Sequence, residues 1–519
     1  MTLDRRDVLL GMAGLAGLAV AGCGGGGGGG SSPDETGGGG GDGGGSGPGP
    51  TPIDLSPPPQ PNANGRNLLV ILMDDMGPHT SAYGTPGLST PNMDALAAAG
   101  ARYQHAYITI STCSASRSAL FTGLYNFTTG ATFNVQEYVG SAESLAADDP
   151  SWLRDANSQY NRFKIRTPEP TLIELLKKAG YFTGLQHKFH RSPHTRFPFD
   201  RWDPVMPGVS RYSQVVDFLS QAKGQGQPWY LEHCISFPHR PWPDSSKQPS
   251  SIDRSVVQPP GHLPDTDVVR TDWSEYLAAV RSADGAVGQV MQALQESGMA
   301  DNTLVVLMGD NGVEYHRGKA TTYNLGLQVP LLIKGPGVVP GGVRSELFAG
   351  VDLLPTVLDA LGLVTVGRQH GVSHYPLLSG ADTAAPNSVL VGLGLALDSR
   401  AADRSIFDGR YQLLYMPDPT ATYVVDDLKL ITPWRNPVYS HIVDNRSVDG
   451  FADAYRLLDL ADHDLRDFTR PRFELYDLQS DPWEIRDLAA DPVHADTLQR
   501  LRSQLGSWMA RYDDPVPRP

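Results

Sequence analysis

Oxygen-bearing side chains stand soon after two apolar runs of the sequence. Asp74 and Asp75 follow the run 68–73, and Asp310 and Asn311 follow a second run. If the runs are neighbouring parallel strands, three carboxylates and one amide oxygen meet at one edge of a sheet. This set suits Ca²⁺, with Mg²⁺ second, and lacks the His and Cys ligands that Zn²⁺ prefers. Without a metal, we expect mutual repulsion to raise the pKa values of all three carboxyl groups.

Cys113 opens a segment that could supply a nucleophile. Residues 114–124 favour a helix, so Cys113 would lie at the N-terminus, where free backbone N–H groups and the helix dipole favour an anion. Arg117 comes four residues later on the same helix face and can reach back. The alternative is a structural cysteine at a Ser-rich helix start.

Four further side chains complete the candidate site: Lys188, His190, His239 and Lys319. Each alone has a simpler interpretation, as a solvated lysine, a core histidine bonded to backbone, or a histidine in a proline-bounded turn. Together, at strand ends of one predicted sheet, they predict a single active site.

The segment Cys113-Ser114-Ala115-Ser116-Arg117, followed by Leu120-Phe121-Thr122-Gly123-Leu124, resembles the signature of the type I sulfatases. Other motifs of that family are matched by residues 90–96, 181–190, 238–241 and 318–333. The resemblance covers residues 67–519 and is closest to the N-sulfoglucosamine sulfohydrolase (heparan N-sulfatase) branch, through residues 473–477 and the Asp-Pro pairs that follow. It implies an alkaline-phosphatase-like fold and hydrolysis of a sulfate ester or sulfamate, with the choice between O- and N-sulfate left open.

The resemblance also implies roles for individual residues. A maturation enzyme would oxidise Cys113 to formylglycine (3-oxoalanine), whose hydrate is the nucleophile. A calcium ion would be held by Asp74, Asp75, modified Cys113, Asp310 and Asn311. Arg117 would hold the hydrate, and Lys188 and Lys319 would stabilise the sulfuryl oxygens. His239 would protonate the leaving atom and His190 would act as the base that releases sulfate, although these two roles could be exchanged.

Departures from the family pattern keep two other functions open. Ala115 stands where the maturation signature usually has Pro, and Asn126-Phe127 replace a Pro-His pair whose histidine commonly supports the nucleophile. One alternative is a phosphonate or phosphate monoester hydrolase on the same scaffold. The other is a catalytically decayed protein that binds glycans.

The elements that must position these residues read as an α/β fold. Short apolar runs alternate with helical stretches, which predicts a large, doubly wound, mostly parallel sheet with helices on both faces. The predicted strands are 68–73, 182–186, 230–236, 304–308 and 330–333, and the predicted helices are 92–101, 172–179, 212–221, 273–297 and 353–361. Short runs at 388–392, 405–415 and 473–478 predict a smaller antiparallel C-terminal subdomain, closed by a terminal helix at 494–512.

The N-terminus predicts export. Arg5-Arg6 precede the apolar run 8–21, as in a twin-arginine signal, and Cys23 ends a lipobox-like segment. We expect residues 1–23 to be a signal peptide, with Cys23 lipidated or, alternatively, incidental. Residues 24–65 form a Gly/Ser/Pro-rich linker, 66–383 the catalytic domain and 384–519 the C-terminal subdomain. The mature protein is then periplasmic or on the cell surface, attached to the membrane if Cys23 is lipidated.

The amino-acid composition limits the classes of partner that the protein can bind. With 57 acidic residues against 42 Lys and Arg, the net charge of −15 argues against nucleic acid. It also favours a small sulfated molecule or a glycan chain end over a long sulfated polymer, which would be repelled at long range. Cys234 lies in the apolar run 229–237 and is expected to be a buried strand thiol.

Overall fold

The computed structural model describes residues 65–135, 158–204, 211–242, 252–381, 383–394, 402–419, 437–456 and 471–519. These residues all belong to one compact unit. The predicted signal peptide, Cys23 and nearly all of the predicted linker lie outside the described residues, and the domain boundary expected at 383/384 stays a prediction. Among the described residues, no helix combines the length and the apolar character needed to cross a membrane.

An eight-stranded sheet forms the centre of the fold. Its strands in chain order are β1 (Asn67–Met73), β2 (Ala101–Tyr107), β3 (Phe182–Gln186), β4 (Arg201–Asp203), β5 (Trp229–Ile235), β6 (Thr303–Gly309), β7 (Leu331–Lys334) and β8 (Gly342–Ala349). In space the order is β4-β3-β5-β1-β6-β7-β2-β8. Only β7 runs antiparallel to its neighbours, β6 and β2. The predicted mostly parallel sheet is therefore confirmed.

Helices cover both faces of this sheet. They are α1 (Pro91–Ala99), α2 (Cys113–Thr122), α3 (Asn126–Thr129), α4 (Gln159–Arg162), α5 (Leu172–Lys178), α6 (Arg211–Gln225), α7 (Asp267–Glu296), α8 (Asn324–Leu327), α9 (Leu353–Ala360), α10 (Tyr375–Leu378), α11 (Pro437–Asp444), α12 (Ala452–Arg456) and α13 (Ala495–Arg511).

Alternate residues of β1 enter two separate hydrophobic layers. Leu68, Val70 and Leu72 pack in the layer that includes α2, α5 and α9, whereas Leu69 and Ile71 pack with α1, α6 and α7. Because successive side chains of a strand point to opposite faces, a strand buried on both sides needs an unbroken apolar run. That is the pattern by which β1 is predictable, and the helices on both faces confirm the doubly wound arrangement.

A second, four-stranded antiparallel sheet contains β9 (Leu390–Leu393), β10 (Arg404–Phe407), β11 (Tyr411–Tyr415) and β12 (Phe473–Asp477), in the order β12-β11-β10-β9. The expectation of one continuous run at 405–415 is wrong. The chain turns at Gly409, which has φ of 99°, a left-handed conformation that glycine adopts without strain. Asp408 fixes the turn by accepting the backbone N–H groups of Arg410 and Tyr411.

Candidate active site

Four oxygen-bearing side chains meet where β1 and β6 end. The two strands are parallel neighbours in register, with Met73 opposite Gly309. Asp74, Asp75, Asp310 and Asn311 are all buried, and the Asp75 backbone N–H donates to Asp310 Oδ1 at 3.0 Å. The prediction that these strands are neighbours is confirmed, and it accounts for the clustering of side chains more than 230 positions apart.

The donor chemistry of this cluster fits a hard cation. Asp75, Cys113 and Asp310 each offer an atom within 4.8 Å of the others. The Asn311 Nδ2–H donates to Asp75 Oδ1 at 2.9 Å, while the Asn311 Oδ1 is buried and has no hydrogen-bond partner among the described residues. A buried amide oxygen without a partner is costly, so a cation at this point would relieve it.

Cys113 is the first residue of α2, with Thr112 as its N-cap. Its thiol lies 3.5 Å from Asp75 Oδ1 and is almost fully buried. Burial and the neighbouring Asp310 carboxylate raise the pKa of the Cys113 thiol well above its ordinary value. An unmodified Cys113 is therefore a protonated thiol and a poor nucleophile.

Arg117 is buried one turn into α2 and connects the carboxylates. Its Nε donates to Asp310 Oδ2 at 3.0 Å, and its Nη2 pairs with Asp74. Its Nη1 lies 3.1 Å from the sulfur of Cys234. Sequence reasoning aimed this side chain at Cys113; in the structure it orients Asp74 and Asp310, and the role of holding a hydrated nucleophile stays a prediction.

Two buried lysines face the carboxylates. Lys188 Nζ lies 2.9 Å from Asp74 Oδ2, and Lys319 Nζ lies 2.9 Å from Asp75 Oδ2. Burial opposes the charged form of both lysines, but the adjacent aspartates outweigh it and raise the pKa of each ammonium group. Both are therefore charged at neutral pH, and neither is a solvated surface residue.

The lysines and Arg117 also change the acidity of the carboxyl groups. Burial opposes ionisation of Asp74 and Asp75, yet Lys188 and Arg117 hold the pKa of Asp74 below its ordinary value, and Lys319 does the same for Asp75. Of these three carboxyl groups, Asp310 alone has a raised pKa, because burial and the nearby aspartates outweigh Arg117. The expectation of three raised pKa values is wrong for Asp74 and Asp75, since it left out the compensating cations.

The two candidate histidines differ in environment. His190 is buried; its Nε2–H donates to Val135 O at 2.8 Å, and its Nδ1 has no hydrogen-bond partner in the part of the chain that the structure describes. Burial and Lys188 lower the pKa of His190 well below its ordinary value, so the ring is neutral. The His239 side chain is 27% exposed, with Nε2 at 3.6 Å from Asp75 Oδ2. Glu314 lies within 4.8 Å of both His239 and Asp75.

Sequence reasoning missed a buried ion pair behind the site. Glu232 on β5 lies 3.0 Å from the Arg191 guanidinium and 3.9 Å from Arg117. Cys234 is a buried free thiol on the same strand, as predicted, and contacts Arg117 and the Lys188 carbonyl oxygen. The available signal was a glutamate at the centre of a mostly apolar strand.

The arrangement presents a buried thiol, three cationic groups and an unpaired amide oxygen around three carboxylates. In total charge, Asp74, Asp75 and Asp310 are balanced by the cations Arg117, Lys188 and Lys319. Such a site can accept a metal cation together with an anionic substrate without a large net charge. It suits transfer of a sulfuryl or phosphoryl group, in which charged oxygens must be stabilised.

Comparisons with known proteins agree with this chemistry. The sequence profile of the family described as Sulfatase matches residues 66–363. Human N-sulphoglucosamine sulphohydrolase is 28% identical over 500 residues, which cover 87% of this chain and 91% of that protein. A crystal structure of a putative sulfatase from Bacteroides thetaiotaomicron superposes with a TM-score of 0.61 at 19% identity, over 87% of this chain and 93% of that one. Phosphonate monoester hydrolase from Agrobacterium radiobacter superposes with a TM-score of 0.58 at 18% identity, over 86% and 96%.

Proposed function

Because the chain belongs to the sulfatase family and is a sulfuric ester hydrolase, we propose that it hydrolyses the sulfate group of a sulfated sugar with a formylglycine made from Cys113 and with a bound calcium ion. The observation that carries this proposal is the position of Cys113. It opens α2 beside Asp75 and Asp310, and the Asp75 oxygen that lies nearest its thiol also accepts the side-chain N–H of Asn311. No simple structural role requires a buried thiol beside two buried carboxyl groups.

The sugar part of the proposal rests on the human relative. Its name describes hydrolysis of N-sulphoglucosamine, and this chain spans 91% of its length. A sulfate ester and a sulfamate present the same anionic sulfuryl group, so the active-site side chains alone do not favour one substrate over the other. The substrate class is therefore a small sulfated sugar or the end of a sulfated glycan.

The residues of the site fit the proposed calcium ion and formylglycine. Asp74, Asp75, Asp310, Asn311 and modified Cys113 would hold Ca²⁺, which is bound by oxygen ligands of this kind. When bound, the ion supplies Lewis-acid polarisation and lowers the pKa of an attached hydroxyl group. A maturation enzyme is needed to convert Cys113, since the thiol itself is protonated and buried.

Lys188 and Lys319 bind and orient the sulfuryl group in this proposal. Both ammonium groups are charged and buried, where electrostatic contacts are stronger than in water. Each now contacts one carboxylate oxygen. A cation that takes over Asp74 and Asp75 would free these N–H donors for the sulfuryl oxygens, while Arg117 keeps Asp74 and Asp310 in place.

The two histidines transfer protons in this proposal. His190 is neutral with an unpartnered Nδ1, which suits a base. His239 is more exposed than the other members of the cluster and lies beside Asp75, which suits a group that protonates the leaving oxygen or nitrogen at the site entrance. Exchange of the two roles remains the alternative, and the pH profiles of the His190→Asn and His239→Asn variants distinguish them.

The first test is the mass of the tryptic peptide that spans residues 103–117, from protein purified out of its native host. Conversion of the thiol to an aldehyde lowers the mass by about 18 Da. An entirely unmodified thiol would favour the decayed glycan-binding protein. The same preparation is then assayed on an aryl sulfate, an aryl phosphate and a phenylphosphonate, because the fold is shared with a phosphonate monoester hydrolase. Preference for a phosphorus substrate would overturn the proposal.

Calcium binding is tested by stability as well as activity. Ligand at a hundred times its Kd adds about 2.7 kcal/mol to the free energy of unfolding, so Ca²⁺ is expected to raise the melting temperature, and a chelator to lower it. The Asn311→Leu variant removes the unpaired oxygen and should lose most of this response. An equal response in both proteins would place the ion elsewhere.

Export and lipid attachment at Cys23 are also part of the proposal. They rest on the Arg5-Arg6 pair and the lipobox-like segment of the sequence. Fractionation of native cells checks them: the Cys23→Ser variant should leave the membrane fraction, whereas retention there would contradict lipidation.

A further inference from the structure

A second cavity lies between the two sheets, and no residue of the catalytic cluster lines it. Its volume is about 740 Å³, within the range of about 300–1,000 Å³ that is usual for ligand sites. The large sheet contributes β2 and the segment after β1, the small sheet contributes the β10–β11 turn, and Asn324 of α8 and the following Gln328 complete this side. We call this cavity the inter-sheet cleft.

The inter-sheet cleft is basic in an acidic protein. Arg102 and Arg410 line it, together with several amide side chains and His105, whose pKa is lowered by burial, and no Asp or Glu among the described residues does. Arg410 is already paired with Asp477 at 2.7 Å. The Arg102 guanidinium lies over the Tyr83 ring at 4.7 Å, and within the described residues it has no acidic partner. Arg102 is therefore a cation available to an anionic ligand.

The remaining lining suits a sugar ring. Tyr107 and Phe407 stack at 5.1 Å with 16° between their planes, and His105 lies 5.4 Å from Phe407. Gln104 on the same strand is exposed, and its side-chain amide makes no hydrogen bond within the described part of the chain. Tyr107 and Phe407 are nearly fully buried, so the polar groups provide the contacts: amides bind hydroxyl groups, and arginine binds carboxylate or sulfate.

We propose that the inter-sheet cleft binds an anionic oligosaccharide, at sugars other than the one that is desulfated. This inference rests on the proposed function, since it makes the cleft a second contact for the same glycan substrate. It also answers a difficulty that the net charge of −15 raises. A sulfated chain that the protein as a whole repels can still be held by a local basic surface, because exposed charges beyond about 10 Å are largely screened by salt.

The test measures binding apart from turnover. The full chain carrying Cys113→Ala is titrated with a heparin-derived hexasaccharide in a calorimeter, alone and with Arg102→Gln added. Loss of one charge-assisted contact is expected to weaken binding about tenfold. The matched control is Arg486→Gln, which removes an arginine whose side chain is 78% exposed and which does not line the cleft; it should change the Kd less than twofold.

Three results would overturn the inference. They are equal binding by the Arg102→Gln and Arg486→Gln variants, binding of neutral maltohexaose as tight as that of the hexasaccharide, and inorganic sulfate competing fully at the same site. If Arg102→Gln lowers the melting temperature, Gln104→Ala takes its place, because that side chain is exposed and forms no contact that the fold needs. Failure of the proposed function is a different result, namely no hydrolysis of an aryl sulfate by the protein with Cys113 intact.

Discussion

At the scale of single residues, the site is defined by charge compensation. Asp74 and Asp75 are ionised inside the protein because Lys188, Lys319 and Arg117 neutralise them. Such buried pairs contribute little net stability, since desolvation offsets most of the attraction. Their value is positional, because they hold donors and acceptors in one place before substrate or metal arrives.

Lys188→Met tests this arrangement. Removal of one cationic donor from a site of this kind costs about 10²–10³ in kcat, and we expect a loss of that size in turnover of an aryl sulfate. Lys178→Met is the control, since Lys178 is an exposed lysine on the surface of the same domain and should retain nearly full activity. A loss below tenfold with a normal melting temperature would remove Lys188 from the catalytic set.

The three aspartates, the two lysines and Arg117 could be named from the sequence, but their pairings, Glu314 and the Glu232–Arg191 pair could not. Asp74 and Asp310 are predictable because polar residues after buried strands gather at one sheet edge. That Arg117 spans both of them, and that Lys188 selects Asp74 while Lys319 selects Asp75, depends on side-chain directions that local sequence does not encode. The compensating pKa shifts were unpredictable for the same reason.

At the scale of elements, β5 is the support for the site. It lies between β3 and β1 in the sheet and places Glu232 and Cys234 behind Arg117. Arg191 has both ion-pair contacts on Glu232 and is surrounded by the rings of Phe121, Phe189, Phe197 and Phe199. Among the described residues, Glu232 on this strand is therefore the only acidic partner of Arg191.

Glu232→Gln removes that charge and leaves the buried guanidinium uncompensated. Breaking a buried pair costs about 3–5 kcal/mol, and we expect the free energy of unfolding, measured in urea, to fall by roughly that amount. Glu296→Gln serves as the control, because Glu296 lies on the surface of α7 and should change little. An unchanged midpoint of urea unfolding for Glu232→Gln would mean that the aromatic rings alone stabilise the buried Arg191 guanidinium.

Two strands that the sequence analysis did not predict, β2 and β8, share a cause. β2 and β8 contain arginine, glutamine or glutamate between apolar residues, since β8 is the edge of the sheet and β2 lies next to it. Edge positions do not need an unbroken apolar run. Residue 101 was accordingly assigned to the end of the preceding helix, whereas α1 ends at Ala99 and Ala101 begins β2.

At the scale of the whole molecule, the C-terminal region is joined to the large sheet through buried polar contacts. Glu484 Oε2 accepts the backbone N–H of Asn324 at the start of α8 at 2.9 Å, and Tyr323 donates its hydroxyl to Glu474 on β12 at 2.8 Å. The order of strands, in which β1 lies between β5 and β6, likewise depends on contacts far apart along the chain. Neither feature follows from local patterns.

The Glu484 contact makes stability depend on pH. Burial raises the pKa of Glu484 from 4.5 to about 8, although Arg317 opposes the shift. Between these values the folded protein keeps a proton that the unfolded chain has released, so the free energy of unfolding falls as the pH rises. The glutamine of the Glu484→Gln variant stays neutral. The free energy of unfolding of this variant, measured in urea, should therefore increase relative to that of the wild type between pH 5.5 and pH 8.5. A difference that is constant over this range would contradict the assignment.

The direction of β1 also has a practical consequence. Asn67 begins the strand on the side of the sheet where β1 starts, and Asp74 directly follows the last residue of the strand on the opposite side. At about 3.3 Å per residue, the seven residues of β1 separate the two points by roughly 23 Å. Attachment of the protein to a solid support through a tag placed before Gly65 would therefore hold it from the edge opposite the reacting groups and leave their entrance open to dissolved glycans.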